Sequence, residues 1–128
     1  LTVRGFAKRF VSYEPALGAV HWARESKING VYFPWFPTLG IKYPPGIDWI
    51  IVGGESGGKA RPFDLAWARS TIKECKDAGV PVFVKQIGSA PRYEGSLSGQ
   101  SYRFPSNNRA GADPSVWPED LRVREFPS

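Results

Sequence analysis

The stretch "DWIIVGGESGGKARPFDLAWARSTIKECKDAGVPVFVKQ", residues 48–86, sets two short β-branched runs on either side of a helical period. In "DWIIVGG" (48–54) the residues after Asp48 form a continuous apolar, β-branched run, a pattern that suits a strand covered on both faces. A glycine-rich loop and "ARP" follow it. Asp64 can then cap a helix by accepting from the free N–H groups of the first turn. Leu65, Ala68, Ile72 and Cys75 recur at three- and four-residue spacing, which predicts one buried stripe. Gly79 ends the helix and Pro81 blocks its continuation. "VPVFVKQ" (80–86) reads as a second buried strand, so the whole stretch predicts a right-handed βαβ unit with parallel strands.

Upstream, "KRFVSYEP" (8–15) predicts a third strand that ends at Glu14, because Pro15 forbids ordinary continuation. Residues 19–46 form an aromatic, proline-punctuated excursion, and its Asn29-Gly30 is a hairpin-type turn signal. Downstream of Gln86, "GSAPRYEGSLSGQSYRFPSNNRAGADPS" is rich in turn residues and reads as irregular. "WPEDLRVREFP" (117–127) predicts a turn and then a short extended segment. Three parallel strands and one helix are few for a self-sufficient sheet. An open α/β sheet or part of a (β/α) barrel are the natural parents.

"GGESGGKA" (53–60) stops one residue short of the phosphate-loop pattern G-x-x-x-x-G-K-[ST]. Gly53, Gly58 and Lys59 match, but Ala60 lacks the hydroxyl that would hold magnesium. Pro62 and the helix start near Asp64 also displace the lysine from the first helical turn, where loop amides and helix N-terminus converge on phosphate. Nucleotide hydrolysis is therefore not expected from this motif.

In parallel α/β folds, chemistry gathers at the C-terminal ends of the strands. Each predicted strand ends there in a functional group: Glu14 after Tyr13, Glu55 and Ser56, and Lys85 and Gln86. Glu14, Glu55 and Lys85 are the candidate catalytic residues. A carboxylate could act as acid or base with its pKa set by a neighbour, or the cluster could bind a zwitterion. Gly53, Gly54 and Gly57 would let a ligand approach the backbone, Arg61 could add an anion contact, and Ser56 and Gln86 complete the binding set. The structural alternative is a buried ion pair in which Glu14 or Glu55 meets Lys85 and holds the rim in place. His21, the sole histidine, has no partner in local sequence. Cys75 on the apolar stripe reads as an inert core thiol. Trp22, Tyr32, Phe33, Trp35 and Phe36 could stack on bases, cover a pocket, or form the excursion's own small core.

The 128 residues suit one domain, and a hydrophobic content of 41% is enough for a core. No apolar run nears the roughly 18 residues of a membrane span, and no signal-peptide pattern is recognised. The single cysteine rules out an internal disulfide and a cysteine metal cluster, so no metal ligands are assigned. A reducing, cytoplasmic setting is expected. The net charge of +5 is dispersed in short basic runs with acids among them, whereas a nucleic-acid face shows a denser stripe. The chain contains no methionine, which suggests the C-terminal part of a longer protein whose N-terminal part is a partner to this one.

"RFVSYEPALG", "GIDWIIVGGESGGKARPFDLAWARSTIKEC", "GVPVFVKQIG" and "WPEDLRVREFP" together resemble the C-terminal half of a bacteriophage family, the Gp-thirty-seven/Gp-sixty-eight type. The resemblance leaves out residues 19–46 and 89–112. It implies a TIM-like (β/α) barrel related to radical S-adenosylmethionine enzymes. It also implies an iron–sulfur cluster and S-adenosylmethionine in the full-length protein, held by an N-terminal cysteine motif that this chain lacks. The expected fold is thus α/β, with parallel βαβ units from the C-terminal part of such a barrel and irregular aromatic and Gly/Pro-rich excursions. The expected function is a strand-end rim that binds cofactor or substrate in a phage or prophage protein. A reading from another class is a non-catalytic nucleic-acid-associated module that uses the basic and aromatic residues of the two long loops.

Overall fold

The computed structural model describes residues 9–22, 25–28, 31–34, 47–93 and 111–128. In chain order the strands are β1 (Phe10–Tyr13), β2 (Glu25–Ile28), β3 (Val31–Pro34), β4 (Trp49–Gly53), β5 (Phe63–Asp64), β6 (Val82–Gln86) and β7 (Pro91–Arg92). The helix α1 (Leu65–Ala78) lies between β5 and β6. β1, β4 and β6 form a parallel sheet in that order, with β4 in the centre. Phe10 faces Trp49 and Tyr13 faces Val52 across the first pair; Ile50 faces Val82 across the second. The β4–α1–β6 crossover is the expected parallel unit, since parallel neighbours need a long connection.

Local chemistry accounts for the ends of α1. The Asp64 carboxylate accepts from Ala66 N–H at 2.9 Å, and Gly79 takes the left-handed conformation (φ 72°) that few side chains tolerate. Leu65, Ala68 and Cys75 are buried as their spacing predicts, whereas Ile72 is only partly so. Thr71 joins the buried set instead, because its hydroxyl accepts from the Trp22 indole N–H at 3.0 Å. That bond satisfies a buried donor, and a second from Trp22 N–H to Glu74 (3.0 Å) ties the segment after β1 onto the helix.

Ile50, Val52, Val82 and Val84 are fully buried in one core with Leu65, Ala68, Cys75, Trp117 and Leu121. The expectation that β4 is covered on both faces is met on one side only. Trp49 and Ile51, which point the other way, stay partly exposed. Their face carries an aromatic cluster in which Phe10, Trp49, Phe83 and Phe126 meet at ring separations of 5.3–6.3 Å. Phe10 is 58% exposed and Phe126 is 69% exposed.

Residues 117–127 behave as predicted. A 3₁₀ turn at Glu119–Leu121 leads into an extended stretch that runs antiparallel along the outer edge of β6. Val84 N–H donates to Val123 O (2.8 Å) and Glu125 N–H donates to Val82 O (2.9 Å). The hairpin signal at Asn29-Gly30 is matched by antiparallel β2–β3 pairing, with Ile28 opposite Val31. Trp22 of the excursion is buried in the core, whereas its later side chains and residues 94–110 lie outside the described residues, as does the idea that Tyr32, Phe33, Trp35 and Phe36 stack on bases or cover a pocket. One pairing goes beyond the reading: β5 and β7, in stretches taken as loop, form a short parallel ladder. The fold is therefore mixed α/β with parallel strands in open sheets and one helix. Among the described residues no barrel closes.

Candidate functional site

Parallel pairing brings the C-terminal ends of β1, β4 and β6 to one edge of the sheet. Side chains alternate along a strand, so Ser12 and Glu14 share the face on which Lys85 stands. Glu14 Oε1 accepts from the Ser12 hydroxyl at 2.9 Å and from Lys85 Nζ at 3.5 Å. The Glu14 side chain is 22% exposed and that of Lys85 is 56% exposed. Between them lies Gly53, where a methyl group would come within 3.3 Å of both Glu14 Oε2 and the Gln86 carbonyl oxygen. The Gln86 side-chain amide donates to Gly54 O at 2.9 Å, which fixes it across the β4–β6 junction.

Glu55 goes elsewhere. Its carboxylate accepts from the Arg61 guanidinium at 2.5 and 3.1 Å and from Arg61 N–H at 3.3 Å. These bonds hold the Glu55 carboxyl below the usual carboxylate range and raise the Arg61 guanidinium. The two candidate carboxylates thus belong to separate pairs, Glu14 with Lys85 and Glu55 with Arg61. The pair to Lys85 is made by Glu14, but it is not the buried pair of the structural alternative, since both side chains keep contact with solvent.

The glycines divide as well. A methyl at Gly54 would lie 2.8 Å from Ile87 O, and one at Gly88 would lie 2.7 Å from Glu55 O. Both positions serve close packing of two backbones, reinforced by Gly54 N–H to Gln86 O (3.1 Å) and Ser89 N–H to Glu55 O (2.9 Å). Gly57, with φ 115°, opens a surface turn closed by Ala60 N–H to Gly57 O (3.2 Å). Gly57, its neighbour Ser56 and Lys59 are all exposed. Lys59 lies in that turn well before α1, whose N-terminal amide is already taken by Asp64, so the phosphate-loop geometry is not formed.

Two further residues shape the rim. Ser12 was missed, although its place two residues before Glu14 on a strand is the signal that would have found it. Arg124, from the C-terminal segment, donates to Val84 O (3.1 Å) and Lys85 O (2.8 Å) while its guanidinium sits over Phe83 (4.8 Å). It anchors the end of β6, and no local sequence pattern announces it.

A family described as a protein of unknown function, DUF5131, matches residues 2–112. The chain belongs to the DUF5131 family. No curated protein and no solved structure matches it. Among the described residues of this DUF5131 chain, no group of three His, Cys, Asp or Glu side chains is placed to hold a metal ion. Cys75 is buried, and burial pushes its thiol up to about 12, so it is protonated and inert near neutrality. His21 is exposed. No helix among the described residues is long and apolar enough to cross a membrane. A surface groove of about 620 Å³ lies at the far end of the strands, between Val80, Val82, Val123 and Phe126, and none of the candidate site residues lines it.

Proposed function

We propose that the strand-end rim of this chain binds a cofactor or substrate, and that the chain is the C-terminal part of a (β/α) barrel in a radical-SAM-like phage or prophage protein of the cytoplasm. The observation that carries the reading is the meeting of Glu14, Gly53 and Lys85 at the C-terminal ends of three neighbouring parallel strands. Ligand sites of parallel α/β folds form at that end. In this reading Glu14 and Lys85 contact the ligand. Gln86 and Gly54 hold the β4–β6 junction beneath it, and the Glu55–Arg61 pair fixes the adjoining loop.

The aromatic face supports the barrel reading. Phe10, Trp49, Ile51 and Phe83 resemble one inward-facing layer of bulky side chains, and further strands would cover them. The outer edge of β1 has no strand partner among the described residues, so added strands would join there. The described residues do not fit an iron–sulfur cluster, since the one cysteine is buried on α1. Any cluster and bound S-adenosylmethionine would rest on ligands from the preceding part of the protein. The nucleic-acid reading relies on the two long loops, which lie mostly outside the described residues, and no described contact favours it.

The test is on the complete reading frame, expressed without oxygen, by iron and sulfide analysis and by the spectral change on adding S-adenosylmethionine. Bound iron with a response to S-adenosylmethionine that Glu14→Gln or Lys85→Met weakens is the expected result. A well-folded, iron-free protein that gives no response would sink the radical-SAM-like reading.

A further inference from the structure

The charges at the rim restrict what can bind there, and this step rests on the rim being a ligand site. Glu14 uses one carboxylate oxygen, Oε1, for both Ser12 and Lys85. The other, Oε2, packs beside buried Gly53 and makes no hydrogen bond among the described residues. The 3.5 Å contact with Glu14 is the only polar contact of Lys85 Nζ among the described residues, and its side chain is 56% exposed. An exposed pair with one long contact contributes little to stability. Each partner keeps unused capacity, three donors on an ammonium against one long bond, and a whole oxygen on the carboxylate.

A ligand bearing only a negative charge would meet Glu14, and one bearing only a positive charge would meet Lys85. Like-charge approach of this kind is how a site rejects wrong partners. A ligand that carries both charges on neighbouring atoms satisfies both groups. In an α-amino acid the ammonium and carboxylate are joined through one carbon, which suits partners as close as Glu14 and Lys85.

We propose that Glu14 and Lys85 form a seat for the zwitterionic head group of a free α-amino acid. The ligand's ammonium donates to Glu14 Oε2, and its carboxylate accepts from Lys85 Nζ.

The twenty L-amino acids, presented one at a time to the protein, provide the probe, with binding read by ligand-observed NMR. Each binder is then compared with its matched carboxylic acid lacking the amino group and its matched amine lacking the carboxylate. At least one amino acid should bind, with both truncated analogues weaker by about tenfold or more, the change expected when one charge-assisted bond is lost. Glu14→Gln and Lys85→Met should each weaken it similarly, and Lys85→Arg should retain binding. Melting temperatures close to the parent's would exclude misfolding as the cause. An amine or acid that binds as tightly as its amino acid, and still depends on Glu14 or Lys85, would overturn the zwitterion and leave the rim as a ligand site. Binding by no amino acid and no analogue would overturn the amino-acid seat, while the iron and S-adenosylmethionine measurements decide the rim reading separately.

Discussion

The two faces of the three-stranded sheet are built from alternate residues of the same strands, yet they differ in almost every respect. One face presents Ile50, Val52, Val82 and Val84, all fully buried with α1. The other presents Phe10, Trp49, Ile51 and Phe83, none of them fully buried, and ends in Ser12, Glu14 and Lys85. The first face is finished, because branched aliphatic side chains interdigitate with a helix of small residues. The second is graded from aromatic to charged along the strand direction. Burial is concentrated in the first face, and the proposed binding groups stand at the polar end of the second.

Ile50→Ala and Ile51→Ala break that comparison most directly, since the two are chain neighbours on opposite faces. Ile50→Ala should cost about 2–5 kcal/mol in urea unfolding, the range for deleting a fully buried aliphatic side chain. Ile51→Ala should cost clearly less, because part of its surface already meets water. Equal losses would show that the second face is as well covered as the first. Thr71→Val tests the seam between α1 and the segment after β1. It strands the buried Trp22 indole donor and should cost about 1–3 kcal/mol.

The glycines sharpen the contrast between packing and loop. Gly54→Ala forces a methyl against the Ile87 backbone at 2.8 Å, whereas a methyl at Gly58 meets nothing within 4 Å. Overpacking of that kind costs about 1–3 kcal/mol, so the first variant should melt well below the parent and the second close to it. The reverse order would mean that the close approach of the β4 and β6 extensions is not what holds the rim.

How legible these regions were follows from the range of the forces involved. Asp64, Gly79 and the stripe of Leu65, Ala68 and Cys75 act within a few residues, so cap, stop and buried face were all readable. Parallel pairing was readable too, because the crossover length imposes it. What was not readable depends on partners far apart in sequence. Glu55 was grouped with Glu14 and Lys85 because all three end strands. The structure instead gives it Arg61, six residues away across a tight loop. Arg124 bonds to Val84 and Lys85, some forty residues earlier, through a strand edge that only folding creates. Coverage of β4 was overestimated because an unbroken apolar run does not say which neighbours exist to cover it. Membership of the DUF5131 family adds no chemistry to the rim, whose assignment rests on geometry.

The smallest expected effect concerns the pair of Glu55 and Arg61 in the loop beside the rim. Arg61 holds the Glu55 carboxyl below its ordinary range in the folded state. A depressed folded value means that the stabilisation is fully present above the ordinary carboxylate pKa of the unfolded chain. It is lost as pH falls through the folded value. The difference in melting temperature between the parent and Arg61→Ala should therefore be largest near neutral pH and shrink under acid conditions. It should stay small throughout, because both groups face solvent and salt screens them. Carboxyl-carbon NMR reads the same change without reference to stability: in Arg61→Ala the Glu55 midpoint should rise toward the ordinary range. A midpoint that stays low would mean that some group other than Arg61 holds it there, and that this pair is not what fixes the loop.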